Sequence, residues 1–198
     1  MVPMRPTVFF DLMGTVLVDP YREAIQAATR RPLADVAADR DPDAWALFES
    51  GVIDEETFVR RFYADGRPFD VATFHRVRRA GYRYLPGMRE ILDDLTGRAE
   101  RHLATNYPPW VDELLVRFGL DSRFERVWAS WRLGARKPDP AFFEQMLTAA
   151  DVDPGRCLFV DDRQDNCEAA EARGIPSHRF VDALDLRARL RAEGLLAS

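Results

Sequence analysis

The sequence predicts an α/β fold: a Rossmann-like parallel sheet with helices on both faces, and a small all-helical block inserted after the first strand. Three observations predict it. Thr7-Val8-Phe9-Phe10 is an unbroken β-branched and aromatic run, the composition of a strand buried on both faces. From Leu85 onward, short apolar runs alternate with helical patterns, which is the order of a parallel sheet with right-handed crossovers. Between these two regions, residues 20–84 carry apolar residues at helical spacing and no strand pattern.

The first strand ends on Asp11 and turns through Gly14-Thr15. Four helices are expected in the block that follows. Ile25 and Ala28 mark the first; Trp45 and Phe48, after Asp41-Pro42, mark the second. Phe58, Val59, Phe62 and Tyr63 mark the third, with Asp54 as N-cap, and Phe74 and Val77 the fourth, with Asp70 as N-cap. Pro32, Gly51, Gly66-Arg67-Pro68 and Gly81 separate them. The aromatics of this block fit its own core.

In the second region Pro86-Gly87 opens a helix with Met88, Ile91, Leu92 and Leu95 on one face, stopping near Gly97. Arg101 to Thr105 is a short strand. Pro108-Pro109 opens a helix with Gly119 as its C-terminal stop, and Phe124 to Ala129 is a strand. A helix from Pro138 to Ala150 buries Phe143, Met146, Leu147 and Ala150. Cys157 to Val160 is a continuous apolar strand, followed by a helix from Gln164 to Arg173. A last strand, Ser177 to Phe180, and a polar amphipathic helix from Ala183 to Glu193 close the chain.

Composition narrows the function classes. A net charge of -5 over 198 residues argues against a nucleic-acid surface, which needs a basic face. No apolar run approaches the roughly 20 residues of a membrane span. The N-terminal stretch lacks a charged leader and a small-residue cleavage site, so the cytoplasm is expected. Cys157 and Cys167 lack metal-type spacing and read as small buried thiols. His75, His102 and His178 share no ligand spacing.

Polar groups gather where the strands end: Asp11, Thr105-Asn106, Asp161-Asp162, and Lys137 in the loop after the third strand. In a parallel sheet these ends share one edge, where ligands bind. Taken singly, Asp11, Thr105-Asn106 and Asp161-Asp162 could be caps and Lys137 a surface charge before a proline. Together they put three carboxylates beside one lysine. A divalent cation would balance that charge, and an all-oxygen donor set with room for water suits Mg²⁺. A phosphate could bridge the cation, Lys137 and Thr105-Asn106, which leaves Asp11 as a carboxylate nucleophile.

These residues resemble the haloacid dehalogenase (HAD) superfamily of hydrolases. The motifs are Asp11-Leu12-Met13-Gly14-Thr15, Thr105-Asn106, Lys137-Pro138, and Asp161-Asp162 with Asn166 four residues on. All four occur in order, across residues 7–180. The resemblance implies a HAD core over 1–18 and 85–198, with a helical C1 cap over 19–84. It implies that Asp11 is the nucleophile and that Thr105 and Asn106 hold the phosphoryl group. Lys137 neutralises charge. Asp11, the main-chain carbonyl of Met13 and Asp162 ligate Mg²⁺, Asp161 acts through water, and Asn166 orients the acidic pair. The expected partner is a small phosphorylated molecule, and the chain a monomer or homodimer.

Met13 departs from the pattern. Phosphatases of the superfamily carry a second Asp there, which protonates the leaving group and then activates water. Loss of a general acid/base costs about 10²- to 10⁴-fold. Three readings follow: a phosphatase in which another group or water stands in, a metal-free 2-haloacid dehalogenase, or a binding protein without turnover. The Asp161-Asp162 pair speaks against the dehalogenase, because two buried carboxylates without a cation are costly. Tyr21 and Arg22 are candidate substrate contacts. Arg136 and Arg163 read as solvated.

Overall fold

A computed structural model describes residues 5–197. Five parallel strands form one sheet in the order β3-β2-β1-β4-β5. They are β1 (Thr7–Phe10), β2 (Glu100–Thr105), β3 (Arg126–Ala129), β4 (Cys157–Asp161) and β5 (Ser177–Arg179). β1 is central. It pairs with β2 through Phe10↔Leu103 and with β4 through Phe10↔Val160, which brings three strand ends level.

Alternation along β1 builds both faces. Val8 and Phe10 join Leu103, Leu158 and Val160 under α6 (Met88–Asp94), α7 (Val111–Arg117) and α11 (Ala183–Ala192). Phe9 points the other way, with Ala104 and Phe159. It packs there on Phe142, Phe143 and Met146 of α9 (Pro140–Ala150) and Ala170 of α10 (Gln164–Glu171). The sheet is therefore covered on both sides, as the unbroken apolar run of β1 requires.

Between β1 and α6 lie the five helices of the insert: α1 (Tyr21–Thr29), α2 (Leu33–Asp39), α3 (Ala44–Glu49), α4 (Glu55–Arg61) and α5 (Val71–Gly81). The expected count was four. α2 escapes the sequence pattern because it buries one residue, Val36, and Pro32 serves as its N-cap rather than as a breaker. Asp54 and Asp70 cap α4 and α5 as expected, each accepting from the backbone N–H three residues on. The chain enters and leaves this insert on two adjacent connectors, Val18 N–H donating to Arg83 O and Leu85 N–H to Val16 O. Phe48, Phe58 and Phe74 bury against Trp110, whose indole N–H donates to Glu55.

Two short elements were not expected. Ser130–Leu133 forms a single helical turn, α8, and Pro154–Arg156 a 3₁₀ turn. The helix expected from Pro138 begins at Pro140, with Asp139 as its cap. Among the described residues no helix is long and apolar enough to cross a membrane.

Candidate active site

The site grows from the carboxyl ends of β1 and β4. After β1, Asp11 N–H donates to Val160 O at 2.8 Å, which fixes the Asp11 backbone beside β4. The chain then folds tightly back: Val16 and Leu17 N–H both donate to Leu12 O, and Gly14 N–H donates to Leu17 O. Gly14 has φ +83°, and a Cβ there would lie 2.7 Å from Asp162 Oδ2. Glycine thus allows both the turn and the close approach of Asp162. Asp11, Asp161 and Asp162 each offer a carboxylate oxygen, all within 4.8 Å of one another.

Lys137 ties the cluster together. Its ammonium donates to Asp11 Oδ1 at 2.8 Å, Asp161 Oδ2 at 2.6 Å and Ala104 O at 2.7 Å, which uses all three of its protons. It is only 1% exposed. Burial works against its charge, but Asp11 and Asp161 outweigh burial and raise its pKa. A reciprocal pair fixes its main chain: Asn106 Nδ2 donates to Lys137 O, and Lys137 N–H donates to Asn106 Oδ1, both at 2.7 Å. Asp161 is fully buried and saturated, accepting also from Arg163 N–H and from Asn166 Nδ2.

The remaining carboxylates are less settled. Burial pushes the Asp11 carboxyl up to about 7; Lys137 opposes the rise, and Asp161 and Asp162 add to it. Burial and then Asp161 raise Asp162. Three carboxylates facing one ammonium leave two negative charges in a largely buried place. Asn166 Oδ1, buried at the same cleft, has no hydrogen-bond partner. Hard oxygen donors, excess negative charge and an unpaired acceptor fit a hydrated Mg²⁺.

A cleft of about 280 Å³ opens over this edge. Asp11, Asp162 and Lys137 form its core wall, and Met13 lies in it too. Tyr21, Trp45 and Glu49 of the insert line the other side, with the Tyr21 and Trp45 rings 4.2 Å apart. Glu49 is 2% exposed, and its Oε1 lies 2.5 Å from Arg136 Nη2. Ser130 Oγ accepts from Tyr107 N–H and donates to Glu49 O, joining the insert to the loop after β2.

The sequence-predicted residues converge here, with some changes of part. Lys137 is buried, not a surface charge. Thr105 is buried at the end of β2, and α7 starts at Val111 without a side-chain cap, so Thr105-Asn106 does not cap it. The Asn106 side chain is occupied by Lys137. Arg136, expected to be solvated, pairs with Glu49, while Arg163 pairs with Asp165 and stays exposed. Tyr21 is in the cleft; Arg22 lines a separate cavity with Ile25 and Arg40. The histidines are dispersed: His75 on Glu55, His178 on Asp185, and His102 packed edge-on against Phe9. Both cysteines are free and buried.

Asp19 and Glu49 are cleft carboxylates that sequence reasoning missed. Asp19 accepts from Tyr21 N–H at 3.0 Å, just before α1. For Glu49 there was a signal. It follows Trp45 by four residues, so a glutamate shares the helix face that the aromatics bury.

Comparisons with known proteins agree with this picture. A family model for haloacid dehalogenase-like hydrolases matches residues 6–174. Flavin mononucleotide hydrolase 1 of Arabidopsis thaliana, a chloroplast protein, is 34% identical over 98% of this chain and 79% of its own length. A sesquiterpene phosphatase of Aspergillus oryzae is 28% identical over 82% of this chain and 85% of its own. The solved structure of a HAD-like family hydrolase from Porphyromonas gingivalis superposes with a TM-score of 0.79 at 26% identity, covering 95% of this chain and 98% of that one.

Proposed function

The chain belongs to the haloacid dehalogenase-like hydrolases, and from that premise we propose that it is a Mg²⁺-dependent phosphatase acting on a small phosphomonoester through an aspartyl-phosphate. The observation that carries this reading is the buried Lys137 held between Asp11 and Asp161, with Asp162 alongside. Asp11, Asp162 and the Met13 carbonyl would hold the ion, with Asp161 acting through water. When bound, Mg²⁺ supplies positive charge against the phosphoryl oxygens.

The chain's own residues do the rest. An Asp11 oxygen attacks phosphorus, forming the Asp11 O–P bond as the ester P–O bond breaks. Lys137 favours the ionised form of Asp11 for this step, opposing the rise that burial imposes. Asp161 holds Lys137 in place. Thr105 and Asn106 hold the phosphoryl group, Asn106 through its main-chain N–H because its side chain is taken by Lys137. Residues 19–84 act as a cap over a core made of 1–18 and 85–198, closing the cleft with Tyr21, Trp45 and Glu49.

The Asp161-Asp162 pair favours this reading over a metal-free dehalogenase, in which the excess negative charge would stand unbalanced. The cleft volume suits a sugar phosphate or a molecule of similar size. Flavin mononucleotide belongs on the same panel, because one relative hydrolyses it and aromatic rings line the insert side. A cytoplasmic place is part of the proposal, supported by two unpaired buried cysteines.

The test is turnover of an aryl phosphate, several sugar phosphates and flavin mononucleotide, with Mg²⁺ and with chelator. Phosphate release that requires the ion and disappears in Asp11→Asn is expected. Inertness toward the whole panel, or halide release from 2-haloacids without metal, would overturn it.

A further inference from the structure

We propose that Glu49, reaching into the cleft from the insert, performs the proton transfers that Met13 cannot. This rests on the phosphatase reading. Glu49 stands on the cleft that also holds Asp11 and Met13, on the wall facing the sheet edge. Its position is fixed at both ends. Its main-chain carbonyl accepts from Ser130 Oγ, which is itself tied to Tyr107 N–H in the loop that follows Thr105-Asn106. Its carboxylate lies beside the Arg136 guanidinium, one residue before Lys137.

The pairing with Arg136 is incomplete. Although Oε1 is 2.5 Å from Nη2, neither Oε1 nor Arg136 Nε has an aligned hydrogen-bond partner. A carboxylate placed only to anchor an arginine would use the two-pronged geometry that guanidinium offers. Here the buried Oε1 meets the guanidinium off the hydrogen-bond axis, at a cleft with room for a ligand. The other cleft carboxylate outside the metal cluster, Asp19, is exposed and already accepts from Tyr21 N–H.

The environment suits a group that gives and then takes a proton. Burial pushes the Glu49 carboxyl up to about 7, with Arg136 and then Trp45 and Arg163 opposing. Tyr21, also facing it, stays protonated, because burial raises its own pKa further. Both states of Glu49 are therefore accessible near neutrality, which is where acid/base catalysis is most effective. In the first half-reaction the ester P–O bond breaks as Asp11 bonds to phosphorus, and the departing oxygen takes the Glu49 proton. The carboxylate so formed faces Arg136. In the second, water attacks phosphorus and gives a proton to Glu49 as the Asp11 O–P bond breaks, releasing inorganic phosphate and restoring both residues.

The test compares Glu49→Gln with the native protein on an alkyl and an aryl phosphate. An alkoxide needs a proton to leave; an aryloxide needs it far less. For the variant, kcat/KM toward the alkyl ester should fall about 10²- to 10⁴-fold, and at least tenfold less toward the aryl ester. The native alkyl profile should decline above pH about 7 more steeply than the aryl profile, and the variant should lose that difference. Titration of Asp11 affects both esters alike, so the difference isolates Glu49. Phosphorylated Asp11 should accumulate in the variant, read by intact mass. Infrared titration of the metal-free protein should show one protonated carboxyl missing near neutrality. Equal losses on the two esters would mark Glu49 as an anchor only and overturn the proposal, as would a selective alkyl loss in Asp19→Asn instead. A native protein inert to both esters would remove the phosphatase reading itself.

Discussion

The two walls of the cleft are built on different principles. The core wall is a polar cluster built around Lys137: every proton of its ammonium is donated, and both Asp161 oxygens accept. The insert wall is aromatic, with Tyr21 and Trp45 half-buried and one buried glutamate, Glu49, paired off-axis with Arg136. Parallel strands converge at their carboxyl ends whatever the ligand, so the core wall can hold fixed chemistry. The insert wall hangs on short helices joined by turns, so its composition can change without disturbing the sheet. A replacement for a lost acid is more readily accommodated there than between Asp11 and Asp161.

Breaking the core wall should have the largest effect. Lys137→Met leaves Asp11 and Asp161 buried and uncompensated. It should cost about 3–5 kcal/mol of stability, measured by denaturant unfolding, and abolish turnover. Gly14→Ala should come next. Its Cβ would press on Asp162 at 2.7 Å in a backbone conformation that L side chains avoid, so Mg²⁺ titration should show at least tenfold weaker activation. On the insert wall, Trp45→Ala should raise KM several-fold with a smaller change in kcat, because it removes cleft surface rather than reacting groups. Smallest is a pH effect. The folded state keeps the Glu49 proton from its ordinary value of 4.5 up to about 7, so stability falls as pH rises through that window. Thermal melts of Glu49→Gln across it should show a shallower decline than the native protein.

The same contrast governs what could be read from sequence. The core wall was legible, because buried parallel strands announce themselves by composition and their polar ends stand out against apolar runs. Even Lys137, one basic residue among many, was marked by its place before Pro138. What could not be read was how Asn106 is used, since a side chain clasping the main chain of a residue 31 positions away leaves no local pattern. The insert was legible as helical, but α2 was missed for lack of a buried stripe and α8 for its single turn. Glu49 and Arg136 meet only after the insert folds back on the core. Helical spacing could place Glu49 beside Trp45, but nothing in the chain order joins it to residue 136.

The central claim is that Asp11 carries the phosphoryl group. The direct measurement is a rapid quench of the protein with Mg²⁺ and a labelled phosphomonoester that it turns over, followed by peptide mapping. Label on the peptide containing Asp11, formed fast enough to account for turnover and absent in Asp11→Asn, is the predicted result. Turnover with no labelled enzyme, or label on another residue, would contradict it.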